Sequence, residues 1–226
     1  MINIFTPQER PYNNITYIAI AISGNSSQRH VGLLFRTNIS KDPRYLHLAF
    51  HYRLKCEDPS NEYWLDCPGF TEDEQLQLAT WFKKIIKVNG EKIPYGISYS
   101  PDTYFDNNSG RYIESNDHCG LTCATFVMAL FKDFGFSIIN PDTWIARQND
   151  QEWHCQIVKA MKHDQIKNPN LYSDDHINRQ ISLIGIAIRF RPEEVAAAAN
   201  IMQNVPATFE QIEPLGHDVL SKMGLS

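Results

Sequence analysis

The stretch His118-Cys119-Gly120-Leu121-Thr122-Cys123-Ala124-Thr125-Phe126-Val127, continuing through Met128-Ala129-Leu130-Phe131 to Phe134-Gly135, is the segment around which the fold is organised. Polar, turn-forming residues lead into it, first Asn107-Asn108-Ser109-Gly110 and then Ser115-Asn116-Asp117. Beyond them Phe126, Val127, Leu130, Phe131 and Phe134 recur at helical spacing, and Gly135 is placed to end the helix. The pattern predicts a loop followed by a buried helix. Cys123 falls about one turn inside that helix, where unpaired backbone N–H groups and the positive end of the helix dipole favour a thiolate over a thiol. Two roles are open to it at this point. It is a nucleophile, or it is a small core residue on the apolar face that Phe126 and Val127 share, the commoner fate of a free cysteine.

The chain of 226 residues is long enough for one domain with a large core, with or without an accessory subdomain. Its apolar content of 42% and charged content of 21% exclude a disordered polymer. The net charge of −5 argues against a nucleic-acid partner. Lysine and arginine are scattered, and the densest group, Lys83-Lys84-Lys87, reads as the solvated face of a helix. No apolar run is long enough to span a bilayer, and the N-terminus Met1-Ile2-Asn3-Ile4-Phe5-Thr6-Pro7 has neither a basic n-region nor an apolar h-region. A cytoplasmic protein is expected, unless a signal-independent secretion system exports it. Five cysteines at irregular spacing, Cys56, Cys67, Cys119, Cys123 and Cys155, suit reduced thiols better than a disulfide framework. His118-Cys119, Cys123 and His154-Cys155 supply zinc-ligand types, but no Cys-x-x-Cys or His-Glu-x-x-His pair is present, so no metal is expected. Neither a Gly-x-Gly-x-x-Gly nor a phosphate loop occurs, and no cofactor is expected. Serine catalysis is disfavoured by the lack of a Gly-x-Ser-x-Gly elbow.

Residues 15–22 form a short run rich in β-branched side chains and predict a central strand. A second strand over 30–35 places Val31, Leu33 and Phe35 on one face and His30, Gly32 and Leu34 on the other. A third, over 45–52, carries Leu46, Leu48, Phe50 and Tyr52 on one face and Tyr45, His47, Ala49 and His51 on the opposite one. The connection between them is too short for a helical crossover, so the strands run antiparallel. Residues 57–61 read as a turn and 63–67 as a further short strand. Thr71 with Glu74 makes a capping box that opens a helix over about 72–88, ended by Gly90. The long connection from 93 to 117 delivers the chain to the cysteine helix and is expected to form a substrate-binding rim. Farther on, the pattern predicts a helix over 150–161, a strand over 181–190, a helix opening at Pro192, and one more short helix between 205 and 226.

The run Cys119-Gly120-Leu121-Thr122-Cys123-Ala124-Thr125-Phe126-Val127, preceded far upstream by Arg29-His30-Val31-Gly32-Leu33-Leu34-Phe35, resembles the circularly permuted branch of the papain-like thiol hydrolases. That branch includes the permuted NlpC-like cell-wall peptidases and the lecithin retinol acyltransferase group. In it the histidine strand comes before the cysteine helix, as here. The resemblance covers roughly residues 15–135 and rests on short motifs. It implies an α+β fold with an antiparallel sheet packed against the cysteine-bearing helix. On this basis residues 1–140 form the catalytic core, and 141–226 form a C-terminal helical and strand extension packed on it as one domain.

The resemblance also implies Cys123 as nucleophile, His30 as general base and His47, on the following strand, as the group that orients His30. His51, on the same strand face, is an alternative orienting group. Tyr95-Gly96 is similar to the tyrosine-containing segment that precedes the cysteine helix in the permuted enzymes and is expected to contact substrate. Cys119 with His118 is the rival nucleophile and base. His154, His163, His176 and His217 are expected to be surface or packing residues. The implied activity is cleavage of an amide bond, with peptides of the bacterial cell wall as substrate. An acyltransferase or thioesterase acting on a lipid-like acyl group is the second enzymatic expectation, and an effector or binding module of the same fold is the third. An exported form implies a toxin acting on a neighbouring cell, with a cognate inhibitor as partner.

Overall fold

The computed structural model describes residues 2–114, 120–202 and 205–225. Five strands come first: β1 (Ile18–Gly24), β2 (Arg29–Phe35), β3 (Arg44–Phe50), β4 (Arg53–Glu57) and β5 (Tyr63–Asp66). They make one antiparallel sheet in the order β4-β3-β2-β1-β5. Asparagine side chains shape its turns. Asn25 Oδ1 accepts the backbone N–H of Ser27 and Gln28 at 2.9 and 3.0 Å between β1 and β2, and Asn38 Oδ1 accepts that of Ser40 at 2.8 Å between β2 and β3.

Two expectations for this region are corrected. β3 stops at Phe50, because its register against β4 shifts between Leu48 and Phe50 and Tyr52 takes φ +55°, which turns the chain back. His51 therefore lies in a tight turn and not on the strand face of His47. The residues after that turn form β4, an additional strand, so Glu57 ends a strand before it opens the expected turn.

Six helices follow among the described residues: α1 (Glu72–Asn89), α2 (Cys123–Phe134), α3 (Asp150–Lys167), α4 (Asp174–Ser182), α5 (Pro192–Ile201) and α6 (Phe209–Lys222). α1 opens on the reciprocal Thr71/Glu74 capping box. The strand expected over 181–190 does not form. Ser173 accepts the N–H of His176 and starts α4, which takes the first two residues of that run. Local bonds from Ile184 to Ile181 and from Ile186 to Leu183 then turn the chain without any strand partner.

One face of the sheet, with Ile18, Ile20, Ile22, Val31, Leu33, Leu46 and Leu48, packs against helices α1, α2 and α5. The other face carries a smaller cluster of Ala19, Ala21, Leu34, Tyr45 and Trp64, closed by Ile15, Phe5 and Tyr12 from the N-terminal segment. α5 is buried on all sides, and Ala196, Ala197, Ala198 and Ala199 are wholly inaccessible. Their small side chains let its backbone approach β1, β2, α2 and α6 together. A polar clamp docks its first turn. Glu193, 2% exposed, takes two bonds from Arg29 at the start of β2, Nε to Oε2 at 3.0 Å and Nη2 to Oε1 at 3.1 Å.

Removing one partner of a buried pair leaves an uncompensated charge. Glu193→Ala is therefore expected to cost about 3 kcal/mol in chemical denaturation, and replacing both Arg29 and Glu193 by leucine is expected to cost less than that single change. Equal losses for the single and double variants would show that the pair does not act as a unit.

Candidate active site

The cysteine helix starts where its caps allow. Thr122 is the N-cap; its hydroxyl accepts the N–H of Thr125 at 3.1 Å, and the Thr125 hydroxyl accepts the N–H of Thr122 at 2.8 Å. Cys123 is thus the first helical residue, rather than one turn inside as the apolar spacing suggests. The segment before the cap runs beside residues 94–96, with Leu121 N–H bonded to Pro94 O at 3.0 Å and Gly96 N–H bonded to Leu121 O at 3.2 Å. Glycine is required at position 120, where φ is +106° and a Cβ would lie 2.6 Å from Pro94 O. This contact brings Tyr95 to the sulfur.

β2 and β3 pair only from Leu33–Leu46 to Phe35–Arg44. The ladder ends at Leu33, and the backbone N–H groups of Val31 and Ala124 and the side chain of His30 act together on the Cys123 sulfur. Burial alone would push the thiol up. The His30 charge, the bond to His30 and the two backbone donors outweigh it and hold the thiol below its ordinary range. Burial likewise opposes charge on His30, but the thiolate, the bond to it and the more distant Glu62 and Glu57 raise its pKa above the usual imidazole range. The two shifts are opposite in sign because each group favours the charged form of the other.

Behind His30 the contacts continue. His30 Nε2 lies 2.7 Å from His47 Nδ1, and His47 Nε2 lies 3.0 Å from Glu57 Oε1. The ionised Glu57, whose pKa the bond from His47 lowers, can only accept, so His47 carries its proton on Nε2. His47 Nδ1 is then an acceptor for His30 Nε2–H, and His30 Nδ1 is left to face the sulfur. Burial and the neighbouring His30 lower the pKa of His47, which stays neutral in this chain. The Tyr45 ring stacks on His47 at 4.4 Å with an interplanar angle of 10°. Gly32 makes room for both, since a Cβ there would come within 2.6 Å of Tyr45 Cε2 and 2.8 Å of His47 Cβ.

Tyr95 is buried beside the sulfur. Burial and the nearby thiolate push its phenol up, so it remains protonated. Its backbone is held from both sides. His51 Nδ1 accepts Tyr95 N–H at 3.1 Å, and His176 Nε2 donates to Tyr95 O at 3.0 Å. Gln180 Oε1 accepts the N–H of Ile97 at 2.9 Å. Because His51 Nδ1 accepts, its proton sits on Nε2 and is donated to Leu171 O at 3.0 Å. Burial and His176 lower the pKa of His51 to about 4.

The structure thus brings Cys123, His30, His47 and Tyr95 together. His51 does not reach His30; it holds the backbone of Tyr95. Gly96 spends its N–H on Leu121. His118 and Cys119, the rival pair, lie outside the described residues. Glu57, His176 and Gln180 were not foreseen. Period-two alternation over 53, 55 and 57 after a turn at His51-Tyr52 is a signal for Glu57; the α4 residues carry none. Among the described residues no three of His, Cys, Asp and Glu converge as a metal site, and no helix is long and apolar enough to cross a membrane. No protein-family model, curated protein or solved structure matches the chain. Its class rests on its own architecture, a mixed α+β protein with a five-stranded antiparallel sheet and a buried cysteine at a helix N-terminus beside a half-buried histidine.

Cys123 is expected to react with iodoacetamide at pH 6, where an ordinary thiol with a pKa of ~8.5 is almost wholly protonated. His30→Ala should abolish that low-pH labelling, as read by peptide mapping. Labelling of Cys119 that ignores His30 would transfer the nucleophile role to the rival pair.

His51 has a depressed pKa, so its neutral form is fully in place above the free-imidazole range near 6.5, and its contribution is lost as pH falls through about 4. Thermal midpoints should drop from pH 7 to pH 5 by less in His51→Asn than in the unaltered protein. An equal drop would place the acid sensitivity on other groups.

Proposed function

We propose that this protein is a cofactor-independent cysteine hydrolase with a permuted papain-like arrangement, cleaving an amide bond in peptides of the bacterial cell wall. One observation carries the chemistry: a hydrogen-bonded chain from His30 through His47 to Glu57, with the Cys123 thiol beside His30. The substrate class comes from the resemblance of the His30 strand and the Cys123 helix to the permuted NlpC-like peptidases. An exported form would act as a toxin.

In this reaction the Cys123 thiolate attacks the carbonyl carbon, and the electron pair moves to the carbonyl oxygen. The Cys123 N–H and the protonated Tyr95 hydroxyl are the donors for that oxyanion. As the tetrahedral intermediate collapses, the C–N bond breaks, His30 gives its proton to the leaving amine, and a thioester remains on Cys123. His30, now neutral, takes a proton from water. The hydroxide attacks the thioester carbonyl, and the C–S bond breaks to release the acid and restore the thiolate. His47 and Glu57 hold His30 in one tautomer and orientation throughout.

A second reading, transfer or hydrolysis of a lipid-like acyl group, is favoured by a histidine in the orienting position 47. It shares every step up to the thioester. Synthetic cell-wall peptides and nitrophenyl acyl esters, offered in parallel and followed by mass spectrometry, separate the two. Turnover of the peptides supports the amidase. A burst from the esters with intact peptides moves the assignment to acyl chemistry, and no thioester with either removes the enzyme reading in favour of a binding module.

Cys123→Ala and His30→Ala are each expected to abolish turnover, with the double variant little worse than either single one. His47→Ala should cost about a hundredfold in kcat. Glu57→Gln, which keeps an acceptor for His47 Nε2–H, should cost less than about tenfold. Equal small effects at 47 and 57 would reduce that pair to packing.

A further inference from the structure

Five of the basic residues that are scattered along the sequence, Arg36, Lys41, Arg44, Lys83 and Lys87, line one place in the fold. The connection between β2 and β3 and the C-terminal half of α1 enclose a cleft of about 440 Å³, a volume typical of small-molecule sites. Phe35, Cys56 and Ile86 supply buried and half-buried apolar wall, while exposed Lys41, Lys83, Lys87 and Arg44 rim it. Asp42 is the one carboxylate in the lining. Phe35 is fixed edge-on against Phe82, at 6.1 Å, so this wall is rigid.

The positive charge here is not balanced from within. Lys83 and Lys87 stand four residues apart on α1, where like charges repel, and the acidic residues of that helix are confined to its first turn. Arg44 is paired with Asp58 at 2.6 Å. Among the described residues none of Lys41, Lys83 and Lys87 forms an ion pair. Arg36, at 9% exposure, donates to the carbonyls of Thr16, Ile39, Lys41, Asn13 and Ile15, again with no carboxylate among the described residues. A buried guanidinium without a counter-charge adds a fixed positive field to the cleft. In a chain of net charge −5 this concentration is local and specific.

We propose that the cleft is a binding site for a single-chain anionic amphiphile of the fatty-acid type. Its acyl tail lies along Phe35, Cys56 and Ile86, and its carboxylate meets Lys83, Lys87 and Lys41. A wholly polar anion would leave the apolar wall uncovered, and a neutral lipid would leave the lysines unanswered. The site is separate from the thiol centre. His30 is the second residue of β2 and Phe35 the last, a distance of about 17 Å at the rise of an extended strand. The proposal stands whether or not the protein is a hydrolase.

Isothermal titration of the full chain with decanoate, 1-decanol and inorganic phosphate tests it. Decanoate should bind saturably, decanol and phosphate each at least about tenfold more weakly, and added salt should weaken decanoate. Lys83→Glu with Lys87→Glu, both exposed, should lower decanoate affinity at least about tenfold while leaving the thermal midpoint near that of the unaltered protein. Equal affinity for decanol and decanoate, displacement of decanoate by phosphate, an unaffected double variant, or no binding at millimolar decanoate would each overturn the proposal. If the double variant loses its fold, a lysine-to-glutamine pair at the same positions gives the same comparison without charge reversal.

Discussion

A buried cysteine whose thiol is held below its ordinary range is the constraint that the rest of this structure serves. Burial by itself disfavours a thiolate. What draws the thiol down against that burial is the set of groups around one atom: the N–H of Val31, the N–H of Ala124 and the side chain of His30. Those donors belong to a strand and a helix more than ninety residues apart in the chain. They meet where the β2–β3 ladder ends at Leu33 and α2 packs against both strands. A helix begun one turn earlier or later would bring a different residue to Val31 N–H. The Thr122/Thr125 cap is therefore a chemical determinant as much as a structural one.

The same logic runs outward through the supporting residues. A histidine beside a thiolate is useful when only one of its nitrogens faces the sulfur, and an acceptor-only carboxylate two residues away in the hydrogen-bonded chain achieves this through His47. On the opposite side of the sulfur, Tyr95 is fixed by side chains rather than by a sheet. His51, His176 and Gln180 occupy the bonds that neighbouring strands would otherwise make to residues 95 and 97. The chain from 141 onward is thus part of the site's framework: α4 holds Tyr95, and α5 holds Arg29, the residue next to His30.

Local chemistry determined much of this directly from the sequence. The strands around Ile20, Leu33 and Leu46, the Thr71/Glu74 start of α1 and the proline opening of α5 were all legible, because alternation, capping and turn residues act within a few positions of themselves. What escaped was decided by packing between distant segments. β4 and its Glu57 depend on a left-handed Tyr52 that bends the chain and removes His51 from the strand, and no short pattern marks a non-glycine residue for that conformation. The run 181–190 has the composition of a strand but meets no sheet edge, so Ser173 capping and local turns claim it. His176 and Gln180 on a polar helix look like surface residues until the fold lays α4 against Tyr95. The sequence by itself determined which residues could do chemistry and on which elements they lie. Only the tertiary structure decided which of them share one hydrogen-bonded chain, because that depends on how β2, β3 and β4 pair and how α2 packs against them.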